Sequence, residues 1–266
     1  LRTRNAPSGC ALGPVAVVPT AHPEGAFLVG RVRQMFEHAD RVVCLAPEEG
    51  DLVAEVHGCR SKVRVAPCPV DPPVRPTDRR IDEVLAAQGL RRGRYAVVVG
   101  RVDPAKGSDD AVRFAAEFRR LVDRDLRLVV VGPGGSAAAA ADRGTVCTGF
   151  VDDDVRNALV AGSAALVQPS YMESFSLALV EAWLLGRPVL VQGASAVLAG
   201  HVRRSSGGLT YHDYPSFELG LAMLSARPDV ADELGARGRR YALGQFSWTT
   251  ASQAFLQALD GIGRPD

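Results

Sequence analysis

The sequence has 266 residues, of which 47% are hydrophobic and 23% charged, as in an ordinary globular protein. Its 31 basic and 30 acidic residues leave a net charge of +1, so no overall positive field favours nucleic-acid binding. No run approaches the ~18 uninterrupted apolar residues of a membrane-spanning helix. Five cysteines without a C-x-x-C pair disfavour a disulfide framework and a zinc site. We therefore expect a reduced, cytoplasmic protein with about two domains.

Residues 1–75 are predicted to be the carboxyl-terminal part of a first α/β domain. Val15–Val18 and Val42–Leu45 are predicted strands, and the helix between them is expected to turn five apolar residues inward: Leu28, Val32, Met35, Phe36 and Ala39. These elements are too few for an independent domain, and the sequence opens at Leu1 rather than Met. We therefore expect the start of this domain to be missing. The proline-dense stretch Pro67–Pro76 indicates a connection to the next domain.

The segment 76–245 alternates apolar runs with helical patterns, which predicts a parallel sheet covered by helices on both faces. The predicted strands are Tyr95–Val99, Leu126–Val131, Val146–Val151, Ala164–Gln168 and Pro188–Val191. Ser108 is the expected N-cap of the helix after the first strand, and Leu121 and Val122 lie on its apolar stripe. The pattern predicts an α/β fold with a doubly wound parallel sheet, whose ligand lies above the carboxyl ends of the strands. Residues 246–266 are expected to form a terminal helix that crosses back to the first domain.

The loop Gly100–Gly107 is a candidate anion site. It leaves the end of a predicted strand and carries Arg101 and Lys106 just before a predicted helix. A helix N-terminus offers unpaired N–H groups and a partial positive charge, and the two side chains add full charges. The alternative is a pair of solvated surface cations.

Two carboxylates stand eight positions apart in the segment that follows the Ala164–Gln168 strand. Glu173 lies in the loop, and Glu181 lies in an apolar helix predicted from about Ser176 to Leu185. A buried carboxylate needs a partner or a ligand, because an unpaired buried charge is very costly. Glu181 is therefore either a ligand-binding residue or one half of a structural ion pair with an arginine.

Other patterns carry weaker signals. Gly132–Gly135 follows a strand but lacks the final glycine of a dinucleotide-binding fingerprint. Asp152–Asp154 contains an Asp-x-Asp that binds metal in some transferases, yet capping of the helix that follows explains it without metal. His22 and His201 are lone histidines, which are more often structural than functional. The sequence predicts no metal site.

Taken together, the motifs resemble those of glycosyltransferase family 4, whose members are retaining enzymes with the two-domain GT-B fold. The resemblance extends from about Val15 to Leu259. It rests on the following segments in this order: Thr20–Glu24, Pro47–Glu49, Gly100–Arg101, Lys106–Gly107, Glu173–Glu181 as the family's E-x7-E motif, and Leu184–Leu190. The implied fold is GT-B, with a Rossmann-like donor domain and an incomplete second Rossmann-like domain.

The resemblance implies roles around the phosphates and the sugar of a nucleotide-sugar donor. Arg101 and Lys106 would bind the diphosphate, Glu173 would lie by the sugar, and His22 would face the sugar from the other domain. The surrounding backbone amides would be those of Phe175, Ser176 and Leu177. These residues would hold the reacting part of the donor.

The resemblance also implies a nucleoside site. Glu181 would accept hydrogen bonds from the ribose hydroxyls, and Phe150 and Val151 would line the base pocket. The sequence departs from the family at Ser176, where glycine is common. A serine amide can still donate, although its side chain limits how closely a ligand approaches the backbone.

The function implied is retaining transfer of a hexose from a nucleoside-diphosphate sugar to an unidentified glycan, lipid or small molecule. The nucleotide-sugar is a substrate, so no cofactor is expected, and cations replace a metal at the leaving phosphate. Two alternatives are a GT-B sugar-nucleotide epimerase and a nucleotide-sugar-binding module without catalysis. The resemblance leaves association with a membrane surface open and implies no nucleic-acid partner.

Overall fold

A computed structural model describes residues 15–17, 29–103, 106–134 and 137–262. His22, with the rest of Thr20–Glu24, lies outside these residues, so its role stays a prediction. The chain divides into two compact units. One comprises residues up to Cys68 together with those from Thr249 onward, and the other is Pro69–Trp248.

The first unit is built on a parallel sheet whose described strands follow the order β1-β2-β3. The elements are β1 (Val15–Val17), α1 (Val29–His38), β2 (Arg41–Cys44), α2 (Pro47–His57) and β3 (Val63–Val65). Phe36 and Ala39 are buried as predicted, whereas Met35 is 56% exposed and that prediction is wrong. Met35 precedes Phe36 by one position, which rotates it by about 100° around the helix and away from the packed face.

The second unit is the doubly wound sheet that the sequence predicts. Its elements are α3 (Asp78–Ala87), β4 (Tyr95–Val99), α4 (Ser108–Leu121), β5 (Arg127–Val131), α5 (Ala137–Ala141), β6 (Thr145–Gly149), α6 (Asp153–Ala161), β7 (Ala165–Gln168), α7 (Leu177–Leu184), β8 (Val189–Gln192), α8 (Ala196–Ser205), β9 (Gly208–Tyr211), α9 (Tyr214–Ala226) and α10 (Pro228–Gln245). A terminal helix, Trp248–Leu259, follows. The five predicted strands are present within a few residues of their expected bounds, and β9 is an additional strand at the sheet edge.

The strand order β6-β5-β4-β7-β8-β9 reverses direction between β4 and β7, and all pairs are parallel. Val97 at the centre of β4 pairs with Val129 of β5 on one side and Leu166 of β7 on the other. The chains that leave β4 and β7 therefore diverge to opposite directions, which opens a crevice at the carboxyl ends of these strands.

The main core lies between the sheet and its helices. In α4 the buried stripe is Ala111, Ala115 and Phe118, whereas Leu121 and Val122 are 54% and 47% exposed. The prediction that these last two residues point inward is wrong. The helix ends at Leu121, the chain turns back toward β5, and the fully buried Leu126 fills this part of the core instead.

Helices α7 and α10 approach each other closely at glycine positions of α10. A Cβ placed on Gly238 would lie 2.1 Å from Cδ1 of Trp183, which is fully buried. The Trp183 indole donates a 2.8 Å hydrogen bond to the Gly207 carbonyl and is thereby fixed in place. The position of α7, whose first turn contributes to the cavity described below, therefore depends on this contact.

Gly238→Ala is expected to destabilise the protein by about 1–3 kcal/mol, the usual cost of overpacking a well-filled core. Gly244→Ala in the same helix is the matched control, because nothing lies within 4 Å of the added Cβ. It is expected to stabilise by roughly 0.5–1 kcal/mol through helix propensity. Urea denaturation of both variants tests this, and equal stability of the two would contradict the packing account.

Candidate active site

A cavity of about 280 Å³ opens at the crevice between β4 and β7. Its lining comes from the end of β4 and the following loop (Val98–Arg101, Lys106), the start of α4 (Ser108), the loop after β7 (Gln168–Ser170, Glu173) and the first turn of α7 (Ser176–Ala178). The predicted phosphate loop and the first half of the E-x7-E motif therefore meet in one place.

Close backbone contacts hold the loops of this cavity together. Gly107 has φ +71°, and a Cβ at this position would lie 2.3 Å from the Pro169 carbonyl oxygen. Gly132, with φ +146°, approaches the Gly100 carbonyl so closely that a Cβ would lie 2.1 Å from it. Both positions require glycine for conformation and for space. The Gly132–Gly135 segment thus has a packing role through Gly132, independent of any dinucleotide.

Two helices begin at the cavity. α4 starts at Ser108 with Gly107 as its N-cap, so the prediction that Ser108 is the N-cap is wrong by one residue. The Ser108 hydroxyl instead accepts a 3.3 Å hydrogen bond from the Asp103 amide. α7 starts at Leu177 with Ser176 as N-cap and no side-chain capping bond. The first N–H groups of a helix lack intrahelical acceptors and carry partial positive charge, so both helix starts favour an anion here.

Lys106 and Glu173 form an ion pair inside the cavity, with 3.0 Å between Nζ and Oε1. The Glu173 side chain is 13% exposed and Lys106 is 42% exposed. Gln168 Nε2 donates to the same Glu173 oxygen at 3.1 Å. The sequence contains only two lysines, and its remaining basic side chains are mostly arginines. At Lys106 the cavity therefore has a compact ammonium group instead of a planar guanidinium.

Gln168 is a site residue that the sequence analysis missed. The sequence contains a signal for it, because a polar residue ends an otherwise apolar strand immediately before the loop that carries Glu173.

Arg101 lines the rim of the cavity, but its side chain is 72% exposed and its guanidinium lies 3.4 Å from the Asp103 carboxylate. The two predicted cations are thus unequal, since Lys106 is held in the cavity and Arg101 projects largely into solvent.

Ser176 adopts a left-handed conformation, with φ 75° and ψ 85°. For a residue with a Cβ this conformation is unfavourable, which gives a physical reason for glycine at this position. Its buried hydroxyl has no hydrogen-bond partner among the residues that the structure describes. Phe175 beside it is buried and packs edge-on against His201 and Phe246, with ring centroids 5.6 and 5.0 Å apart. Phe175 therefore anchors this turn with its ring.

Glu181 is in contact with an arginine. Its Oε1 lies 3.5 Å from a guanidinium nitrogen of Arg156, and its side chain is 27% exposed. Burial raises the pKa of the Glu181 carboxyl above its ordinary range, nearby Arg156 opposes the rise, and Asp153 adds to it. Glu181 does not line the 280 Å³ cavity. The structural ion pair that the sequence leaves open as an alternative is thus present. The charge of Arg156 does not fully compensate for the desolvation of the Glu181 carboxylate.

Phe150 and Val151 follow β6 and precede α6, and Phe150 is 83% exposed. Neither lines the cavity, so their role in a base pocket stays a prediction.

The segment Asp152–Asp154 lies at the start of α6, where Asp152 is the N-cap without a side-chain capping bond. Asp153 pairs with Arg156 at 3.1 Å, and Asp154 with Arg80 at 2.6 Å. Within the ranges that the structure describes, no group of three or more His, Cys, Asp or Glu residues could hold a metal ion.

The site lies at the carboxyl ends of the strands of a doubly wound sheet, where such folds bind ligands, and comparisons with known proteins show which proteins this chain resembles. Residues 93–217 match the family "Glycosyl transferases group 1". The chain is similar to the D-inositol 3-phosphate glycosyltransferase of Nocardia farcinica, with 34% identity over 85% of this chain and 53% of the relative. Its sequence identity to the enzyme of the same name from Rhodococcus erythropolis is 32%, over 85% of this chain and 54% of the relative. The chain thus spans about half the length of these curated relatives.

Solved structures share the fold. The Anabaena protein Alr3699/HepE, in complex with UDP and glucose, matches with a TM-score of 0.80 and 14% identity over 93% of this chain and 71% of that one. WaaG, a glycosyltransferase involved in lipopolysaccharide biosynthesis, matches with a TM-score of 0.72 and 15% identity. The match covers 94% of this chain and 76% of WaaG. The predicted GT-B type of α/β fold is therefore confirmed, and the matches support a glycosyltransferase. Family 4 and the retaining mechanism stay predictions.

No helix in the described ranges is both long enough and apolar enough to cross a bilayer.

The raised pKa of Glu181 gives a pH-dependent prediction. Its folded-state pKa lies above that of the unfolded chain, so stability is lost as pH rises from the ordinary glutamate range through the folded-state pKa. Glu181→Gln removes this loss, so its melting temperature should match the parent at acidic pH and exceed it at neutral pH. Each ~1 kcal/mol corresponds to about 2–4 °C for a protein of this size.

Thermal melts between pH 4 and 8 measure this effect. Glu233→Gln is the control, because its carboxylate is 64% exposed and pairs with Arg237 on the surface. Its effect should stay within about 0.5 kcal/mol. Clear destabilisation by Glu181→Gln at neutral pH would instead show that the ion pair with Arg156 stabilises the fold.

Proposed function

We propose that this chain is the donor-binding part of a retaining family 4 glycosyltransferase that transfers a hexose from a nucleoside-diphosphate sugar. The observation that carries the proposal is the Lys106–Glu173 pair, 3.0 Å apart at the switch point of the sheet. It combines a cation for phosphate and a carboxylate for sugar hydroxyls in one cavity. The starts of two helices line the same cavity, which suits a diphosphate.

The chemistry requires stabilisation of a leaving diphosphate. In the transfer, the bond between the anomeric carbon and the β-phosphate oxygen breaks, and the nucleoside diphosphate leaves with the electron pair. The acceptor oxygen bonds to the same carbon on the same face, and its proton passes to the leaving phosphate. Lys106 and the helix N-termini stabilise the charge that develops on the phosphate, which is the work that a metal ion does in other transferases.

Donor binding redistributes the contacts of Lys106. A phosphate near the ammonium competes with Glu173 for it, while Gln168 still donates to the Glu173 carboxylate. Glu173 is then available to accept hydrogen bonds from the donor sugar. Because Glu173 is largely buried, it also holds Lys106 in place before the donor arrives. Metal-independent catalysis follows from this arrangement as part of the proposal.

The nucleoside is proposed to extend from the cavity toward α6. Glu181 accepts hydrogen bonds from the ribose hydroxyls, and Phe150 and Val151 contact the base. The partly exposed carboxylate and the exposed ring suit groups that a ligand covers. A role for His22 beside the donor sugar is a further part of the proposal. Arg101 adds a second, solvent-screened cation for the diphosphate.

The relatives suggest particular substrates. Because HepE was solved with UDP and glucose, we propose UDP-hexose as the donor. Because similar curated proteins are named D-inositol 3-phosphate glycosyltransferases, we propose a phosphorylated cyclic polyol as the acceptor.

A cytoplasmic location of the protein belongs to the same proposal. The described cysteines Cys44, Cys59 and Cys147 are free thiols, as is usual in a reducing compartment.

A thermal-shift panel of UDP-, GDP- and ADP-glucose tests the donor class. A ligand at 100 times its Kd adds ~2.7 kcal/mol to stability, so the preferred donor should raise the melting temperature clearly above the others. A larger shift with UDP-glucose than with UMP or glucose at the same concentration supports the proposal. No shift with any of the three donors would contradict donor binding by this chain.

Lys106→Ala is expected to weaken binding of UDP but not of UMP, because only the diphosphate reaches the cavity. Loss of a charge-assisted hydrogen bond of ~1.5–3 kcal/mol corresponds to roughly 10- to 150-fold in Kd. Arg101→Ala should have a smaller effect, since its guanidinium is largely solvated. Calorimetric titration measures all three proteins. Equal loss of UDP and UMP affinity, or none, would remove Lys106 from the diphosphate site.

Glu181→Gln is expected to lower UDP affinity tenfold or more, because the charge-assisted bonds to the ribose are lost. A 2′-deoxy nucleotide provides a double-mutant cycle with the ligand. If Glu181 binds the ribose hydroxyls, the loss from the substitution and the loss from the deoxy ligand should not add. Fully additive losses would place Glu181 outside the ribose contact.

A further inference from the structure

A second concave surface lies at the edge of the sheet opposite the donor cavity. This cavity of about 460 Å³ is lined mainly by side chains that precede strands or end a helix: Arg119, Arg120, Arg124, Arg127, Arg143 and Asp142. Arg119 and Arg120 are in the last turn of α4, Arg127 begins β5, and Arg143 lies just before β6. Since the strands are parallel, these residues lie at the amino-terminal edge. We call this surface the arginine cavity.

Acidic residues neutralise only part of this charge. Arg119 pairs with Asp142, and Arg120 pairs with Glu117. Across the residues that the structure describes, no carboxylate lies within ion-pair distance of Arg124, Arg127 or Arg143; Arg127 donates a 2.9 Å hydrogen bond to the backbone carbonyl of Arg143. Three net positive charges therefore line one cavity of a chain whose total charge is +1.

Ordinary structural roles explain the paired arginines and leave the others unexplained. Arg119 and Arg120 end α4, where cations interact favourably with the helix dipole. Arg124, Arg127 and Arg143 lie outside helices, so no helix dipole accounts for them, and a bound anion would lower their mutual repulsion. A second, smaller cavity of about 110 Å³ shares Arg124 and Arg127, and its other arginines, Arg91 and Arg94, pair with Asp125 and Asp123 and add no net charge.

The shape and the residue type indicate the ligand chemistry. The volume of about 460 Å³ is widely open to solvent, which suits an anion bound at the surface rather than an enclosed ligand. The planar guanidinium presents donors in a fork that matches phosphate oxygens in a bidentate manner. We propose that the arginine cavity binds a phosphate-bearing anion, at a site separate from the donor cavity. This inference does not depend on the proposed function.

Two sources could present such a phosphate. A free anion with two or more phosphate groups would bind several of the arginines at once. A phospholipid headgroup would also place Leu121 and Val122, exposed in the same stretch of chain, against the bilayer surface. The phosphate chemistry is common to both sources, so a first experiment tests the site and a second separates the sources.

Calorimetric titration with inorganic pyrophosphate tests the site with the double variant Arg124→Gln/Arg143→Gln. Both side chains are exposed and neither forms an ion pair in the described part of the chain, so the fold should be retained, which a thermal melt verifies. Arg240→Gln, an exposed arginine of α10, is the charge-matched control. We expect the double variant to lose one class of pyrophosphate sites, with affinity at least tenfold weaker, and the control to retain it.

Lys106→Ala keeps this result separate from the donor cavity, because pyrophosphate binding at the arginine cavity should survive that substitution. Pyrophosphate binding that is unchanged in the double variant, or equally reduced in Arg240→Gln, overturns the proposal. Sedimentation with vesicles of phosphatidylglycerol in phosphatidylcholine assigns the source. Vesicle binding that the double variant loses assigns the phosphate to a lipid headgroup, and pyrophosphate binding without vesicle binding assigns it to a free anion. Absence of both in the parent protein also overturns the proposal.

Discussion

The reversal of strand order between β4 and β7 is the constraint on which the site depends. Parallel strands that carry the chain away in opposite directions leave a crevice at their carboxyl ends. Gly107 brings the loop after β4 into van der Waals contact with the Pro169 carbonyl of the loop after β7. The crevice is thereby narrowed to a cavity, and the N-termini of α4 and α7 both reach it. Cations and carboxylates far apart in sequence are brought together only because of this topology.

The Lys106–Glu173 pair gives the cavity its particular chemistry. Each side chain satisfies the other in the structure, so neither charge is left buried and unpaired. A phosphate that approaches Lys106 replaces one acceptor by another, and Gln168 continues to support Glu173. Glu181 differs, because burial disfavours its ionised form despite Arg156. The two glutamates of the E-x7-E motif are therefore held by different physical means, although only seven residues separate them.

Much of this architecture could be predicted from the sequence, because long apolar runs and glycine-bounded loops report strands buried on both faces. The loop with Lys106 and the loop with Glu173 were both identified, since charged residues after apolar strands are conspicuous. Other features depend on tertiary geometry that no local pattern encodes. The left-handed backbone of Ser176 and the pairing of Arg156 with Glu181 belong to this group. The arginine cavity also escaped prediction, because its residues are scattered between elements and meet only at the sheet edge.

We propose that the cavity between β4 and β7 binds the diphosphate of a nucleotide-sugar through Lys106 and the first turn of α7. A crystal structure of this chain with UDP tests this binding mode. The β-phosphate is expected within about 2.7–3.2 Å of Lys106 Nζ and of amide nitrogens at the start of α7, with Lys106 withdrawn from Glu173. A diphosphate bound elsewhere, with the 3.0 Å Lys106–Glu173 contact unchanged, would contradict it.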